Sequence, residues 1–155
     1  MPQPRRKCIR LSPDAYKIPG QPFSITLCVA DRRPVFGDPA LAREAVDLLI
    51  ASSSECGVAL HAYCVMPDHI HVLCSLNGDT GVVEFVRLLK GRLATALRRL
   101  GVTGHLWQRS FHDRAVRREE NLFKVIQYIL HNPVRAGLVE DWQLYPFSGS
   151  PYLDR

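Results

Sequence analysis

In the stretch YCVMPDHIHVL, Tyr63 to Leu73, two histidines, His69 and His71, flank a single isoleucine. Residues i and i+2 of an extended chain point to the same side. Ile70, Val72, Cys74 and Leu76 are uniformly apolar and belong toward a core, so His69, His71, Leu73 and Ser75 fall on the opposite face. Two neutral imidazoles side by side can reach one cation. A bare H-x-H is short and recurs by chance. Two hydrogen-bonded histidines on a half-open sheet explain it as well until a further donor is found.

A second set of chemically capable residues lies in EENLFKVIQYILHNPV. At about 100° per residue, Leu122, Phe123, Val125, Ile126, Ile129 and Leu130 form one apolar arc of a helix. Tyr128 sits at one edge of that arc, with Asn121 and Asn132 near it. Tyr128 and Asn132, four apart, are neighbours on one face. By itself Tyr128 reads as an amphipathic rim residue with its hydroxyl in water. His131 points about 60° to the other side of Tyr128, and Pro133 disfavours helical geometry at Asn132.

The chain of 155 residues carries a formal charge of +5, with 46% hydrophobic and 23% charged residues, which suits one soluble domain spanning 1–155. The positive charge is clustered. Arg5, Arg6, Lys7 and Arg10 crowd a basic arm over 1–20. Lys90, Arg92, Arg98 and Arg99 share one predicted helix, and Arg109, Arg114, Arg117 and Arg118 follow it. Each alone is a solvated surface residue. Together, rich in arginine, they point to a phosphate-binding surface. Five cysteines without C-x-x-C spacing point to reduced, mostly buried thiols. With no membrane-length apolar run and no signal-like N-terminus, the expected location is cytoplasmic, with no membrane partner.

These residues need elements to hold them. PFSITLCVA reads as a strand. GDPALAREAVDLLIASSSECG reads as a helix with Asp38 as N-cap, Pro39 at its first position, a stripe of Leu41, Ala45, Leu48 and Leu49, and Gly57 at its end. VALHAYCVM and HIHVLCSL form a hairpin through Pro67-Asp68. A second helix carries Val82, Val86, Leu89, Leu93 and Leu97 inward and ends at Gly101. WQRSFHDRAVR is a fourth strand, and the helix carrying Tyr128 stops at Pro133. A tail over 138–155 packs down. The order β-α-β-β-α-β-α predicts an α+β, ferredoxin-like (split βαβ) fold. Two helices cover one face of a four-stranded antiparallel sheet, and the third is available for the other.

His69-Ile70-His71 matches the His-hydrophobic-His signature of single-strand DNA nucleases. With YCVMPDHIHVL, WQRSFHDRAVR and YILHNPVRAGLV in this order, the chain from about Ile25 to Tyr145 resembles the single-tyrosine transposases of small insertion sequences, and most of all the REP-associated tyrosine transposases of bacteria.

The resemblance implies a mechanism. His69 and His71 hold a divalent metal, Mg2+ or Mn2+, with Asn132 as the third ligand one turn after the tyrosine. Tyr128 attacks a phosphodiester of single-stranded DNA beside a hairpin repeat, giving a 5′-phosphotyrosine link and a free 3′-hydroxyl. A phenol of pKa about 10 needs such activation at neutral pH. The resemblance also implies a nucleoid-associated protein and a possible homodimer. Asp68, beside His69, either orients an imidazole or caps the turn, with the turn preferred, and His61, His105 and His112 are read as structural. Trp107, Phe111 and Tyr63 are either base-stacking or core residues. The competing reading is a catalytically silent ferredoxin-like nucleic-acid-binding module that uses the open sheet face as a stacking platform. A replication initiator or relaxase is a weaker third.

Overall fold

The computed structural model describes residues 20–77, 79–117 and 120–153. Arg5, Arg6, Lys7, Arg10 and Arg118 lie outside the described residues. The elements in chain order are β1 (Pro22–Cys28), α1 (Pro39–Glu55), β2 (Val58–Met66), β3 (His69–Leu76), α2 (Val82–Arg99), β4 (His112–Ala115), α3 (Leu122–Leu130), the one-turn α4 (Asn132–Arg135) and β5 (Ser148–Gly149). They build one sheet in the order β4-β1-β3-β2-β5, antiparallel at every pairing. The first four strands give the expected interleaved βαβ arrangement. The tail was expected only to pack down; instead it adds a fifth strand, pairing Ser148 with Cys64 and Gly149 with Tyr63.

The helix signals act as read for α1 and α2. Asp38 Oδ1 accepts the Ala40 amide at 2.8 Å, and Gly57 and Gly101 follow α1 and α2 at φ 65° and 97°, where a side chain would be strained. All five residues of the predicted α2 stripe are buried. In α1 the buried line runs through Ala42, Ala45, Val46 and Leu49, with Leu41 and Leu48 only partly covered.

Two elements differ from expectation. The fourth strand is confined to His112–Ala115, with Trp107 making an isolated bridge to Val29. Between them the Gln108 and Ser110 carbonyls accept from Lys90 Nζ of α2 at 3.0 and 2.9 Å, so this stretch leans toward the helix layer. Pro133 does not stop the helical path. Asn121 caps α3 through the Phe123 amide, α3 ends at Leu130, and Pro133 sits at the start of α4, where its missing N–H costs nothing.

The sheet has two cores. Phe23, Ile25, Leu27, Ile70, Val72 and Cys74 face α1 and α2. On the other face Ala62, Cys64, Met66 and Leu73 pack with Ile126, Ile129, Leu130 and Tyr145. Tyr145 anchors this side by donating its hydroxyl to the Val65 carbonyl at 2.6 Å. Phe123, expected within the apolar arc, is exposed.

Candidate active site

The histidine face is half covered. Helix α3 packs over β2. Directly opposed residues of an antiparallel pair share a face. Thr26 therefore lies beside His71, and His112 beside Thr26. Ser24, paired with Leu73 and Arg114, continues the same face toward the edge. Ser24 and Thr26 are partly exposed, and His112 and Arg114 are exposed. His69 and His71 thus stand where the cover of α3 and the tail gives way to an accessible half-sheet. Among the described residues this face is open only in part, on the side of β1 and β4.

The two rings are edge to face, with centroids 4.7 Å apart, and their Nε2 atoms approach to 3.0 Å. The opposite nitrogens are engaged. His69 Nδ1 lies 2.6 Å from Asp68 Oδ1, and His71 Nδ1 lies 3.2 Å from Thr26 Oγ1. A carboxylate only accepts, so it fixes the proton of His69 on Nδ1 and leaves the Nε2 lone pair free. Burial, followed by the charges of His69, Arg135 and Arg32, lowers the His71 pKa to about 4, so this ring is neutral at neutral pH.

Asp68 stands in the turn, and its contact with His69 also fits the orienting role weighed for it. Its Oδ2 also pairs with Arg32 Nε at 2.9 Å. Burial pulls the Asp68 pKa up, but its hydrogen bond to His69 and the nearby His69 and Arg32 charges outweigh that and lower it. The carboxylate is therefore charged and directs the imidazole.

The donor set suits a divalent cation. Two ligands each about 2.1 Å from an ion and at right angles lie about 3.0 Å apart, the separation found here. Among the described residues no group of three or more His, Cys, Asp and Glu side chains is placed to hold a metal.

Tyr128 is 63% exposed on α3 and borders a cleft lined by Glu120, Asn121, Lys124 and Val125. The Arg135 guanidinium lies over its ring, 3.7 Å from the centroid. The same side chain donates from Nη2 to the Tyr128 carbonyl at 2.7 Å and to Asn132 Oδ1 at 2.8 Å. Asn132 Nδ2 donates to the Ile129 carbonyl at 3.1 Å, which fixes the direction of the amide. Tyr128 and Asn132 are therefore held as one unit by Arg135, and the Arg135 charge is also felt at His71. His131 is turned elsewhere: its Nδ1 meets the Gln127 carbonyl at 2.7 Å and its ring lies near Trp142.

The expected basic surface divides. Lys90 serves the fold, as above. Arg92 joins α2 to α1 through Ser52 and Glu55. Arg98, Arg99 and Arg109 are exposed, but α2 lies on the sheet face opposite the histidines, so the structure does not bring its arginines to the pair. Arg114 shares the histidine face and pairs with Glu120. Phe111 is buried, Trp107 donates to the Lys90 carbonyl, and Tyr63 packs on the first core. His61 is structural as read, held between Ser75 and Tyr152. The residues that sequence reasoning missed are Thr26, Arg32 and Arg135. The polar alternation Ser24, Thr26, Cys28 was the available signal for Thr26.

A solved REP-associated tyrosine transposase bound to a REP hairpin is similar in fold, with a TM-score of 0.71 and 26% identity, covering 86% of this chain and 78% of that one. A protein of Haemophilus influenzae assigned as a REP-associated tyrosine transposase is 33% identical over 98 residues, 56% of each chain. The REP-associated tyrosine transposase of Escherichia coli K12 is 30% identical over 90 residues, 57% of this chain and 52% of that one. The chain thus spans about half the length of these two relatives. The sequence profile of IS200-like transposases matches residues 20–132, which include the histidine pair, Tyr128 and Asn132. With most of its length matched, the chain belongs to the IS200-like transposase family.

Proposed function

We propose that this protein is a metal-dependent nuclease and strand transferase that cuts single-stranded DNA beside hairpin repeats, with Tyr128 as the nucleophile. The observation that carries the reading is the convergence of two oriented imidazoles, Nε2 to Nε2 at 3.0 Å, at the edge of the cover provided by α3. The likeness to a relative solved with a REP hairpin supports hairpin DNA as the partner class.

His69 and His71 would hold Mg2+ or Mn2+, with the Asn132 amide oxygen as the third protein donor. The bound ion would supply Lewis-acid polarisation of the scissile phosphate. Asp68 and Thr26 keep the two rings aimed. Arg135 limits the sweep of the exposed Tyr128 side chain. The Tyr128 oxygen bonds to phosphorus as the bond from phosphorus to the 3′ oxygen breaks. The phenol proton is lost, and the departing 3′ oxygen gains one. The products are a 5′-phosphotyrosine and a free 3′-hydroxyl, and attack by a 3′-hydroxyl reverses the step and joins strands.

The test is incubation with single-stranded repeat hairpins and Mn2+, read on a denaturing gel. The expected result is a covalent protein–DNA product that Tyr128→Phe does not form. Cleavage by Tyr128→Phe at the wild-type rate refutes the assignment of the nucleophile. DNA binding without cleavage by the wild-type protein would favour the silent module.

A further inference from the structure

Two arginines outside the predicted basic clusters hold residues of the candidate site from different elements: Arg32 pairs with Asp68, the carboxylate on His69, and Arg135 holds Tyr128 and Asn132. Arg32 comes from the turn after β1. There Asp31 and Arg32 take φ values of 56° and 53° in succession, a conformation that costs L-residues energy and persists where surrounding structure enforces it. The turn aims the Arg32 guanidinium so that Nε meets Asp68 and Nη1 meets Cys28 Sγ at 3.1 Å. Half of the side chain stays in solvent, with 53% exposure. Arg135 comes from α4, fixed by Asn132 and Tyr128.

The charge balance at this point is unfavourable for a bare divalent ion. Asp68 brings one negative charge to the candidate site, and the two arginines bring two positive charges. A phosphodiester supplies the missing anion, and the guanidinium fork suits its oxygens.

Resting on the proposed function, we propose that Arg32 and Arg135 bracket the scissile phosphate of single-stranded DNA, so that metal and DNA bind the histidine site as a coupled pair. Coupling is reciprocal: the factor by which DNA tightens metal equals the factor by which metal tightens DNA.

The experiment uses the full chain carrying Tyr128→Phe, so that DNA is bound and not consumed. Mn2+ affinity is measured by electron paramagnetic resonance with and without a saturating single-stranded hairpin oligonucleotide. DNA affinity is measured by fluorescence anisotropy with and without Mn2+. The expected gain for the parent is about tenfold in both directions, within the usual range of coupling between sites. Arg32→Gln and Arg135→Gln should each bind Mn2+ more tightly than the parent in the absence of DNA, because a repelling cation has gone, and should lose most of the gain on adding DNA. A merely structural arginine predicts the opposite sign, with weaker Mn2+ binding in both conditions. If Arg135→Gln does not fold, Arg32→Gln decides the matter, since Asp68 keeps its direct bond to His69. Mn2+ affinity that is the same with and without DNA in the parent overturns the coupling and leaves the proposed function standing. Variants that weaken Mn2+ yet keep the full DNA gain overturn the role of the two arginines and likewise leave the proposed function standing. No Mn2+ binding in either condition overturns the metal reading itself, and this inference with it.

Discussion

Replacing Asp68 by alanine should weaken divalent-metal binding more than any other change outside the proposed ligands. The Asp68–His69 contact is 2.6 Å and charge-assisted, and such bonds are about twice as strong as neutral ones. Without it the His69 ring loses both its tautomer and its rotational restraint, and the Nε2 atom no longer converges reliably on that of His71. Loss of a group that orients a metal-bound histidine costs about 10–100-fold in affinity or activity, or about 1.4–2.7 kcal/mol. Loss of the Asp68 charge beside Arg32 acts in the same direction. Thr26→Val provides an internal scale. Its bond to His71 is neutral and 3.2 Å long, so its removal should cost about 0.5–1.5 kcal/mol, roughly 2–10-fold. Mn2+ titration monitored by electron paramagnetic resonance, with thermal melting to verify folding, tests both values. Folded Asp68→Ala protein that binds Mn2+ within about twofold of wild type would refute the orienting role, because the predicted minimum loss is about tenfold. A larger loss for Thr26→Val than for Asp68→Ala would refute the ranking by bond type.

Three further outcomes follow from the same geometry. Tyr128→Phe should abolish the covalent adduct and keep thermal stability within about 0.5 kcal/mol, as expected for a substitution at an exposed site; a large drop in melting temperature would show a packing role instead. Lys90→Met should lower stability by about 1–3 kcal/mol, because two strand-side carbonyls lose their donor, and should leave hairpin affinity unchanged; preserved stability with weakened DNA binding would restore Lys90 to the DNA surface. The His71 imidazole, with its pKa lowered to about 4 in the fold against 6.5 for a free histidine, binds a proton more readily in the unfolded chain, so stability should fall by roughly 3 kcal/mol as pH drops from 6.5 toward 4; a His71 resonance that titrates near pH 6.5 by NMR would contradict it.

The site was legible where a backbone period governs it, and hidden where side-chain reach does. Alternation along β3 separates His69 and His71 from Ile70 and Val72 without any coordinates, because a strand repeats every two residues. Helical spacing likewise places Tyr128 beside Asn132. Asp68 was not legible in this way. A Pro-Asp pair signals a turn whether or not the carboxylate then reaches the next histidine, and here it does both. Alternation along β1 puts Thr26 on one face with Ser24, but its place opposite His71 required the register of β1 on β3. Lys90 shows the converse. Its position on α2 reads as a polar flank, but a four-carbon stem lets the ammonium reach carbonyls that periodicity says nothing about. Arg32 depends on two successive left-handed residues that are neither glycine nor asparagine, and propensity argues against that conformation. Arg135 was hidden by a boundary. Read as the end of a helix, Pro133 separates Arg135 from Tyr128, whereas Pro133 as the start of α4 folds Arg135 back over the tyrosine ring. The two arginines that sequence reasoning left out are thus those whose placement departs from regular backbone. Departures of this kind concentrate where a chain must aim a side chain at a ligand, and here one guanidinium is brought to Asp68, which holds His69, and the other to Tyr128 and Asn132.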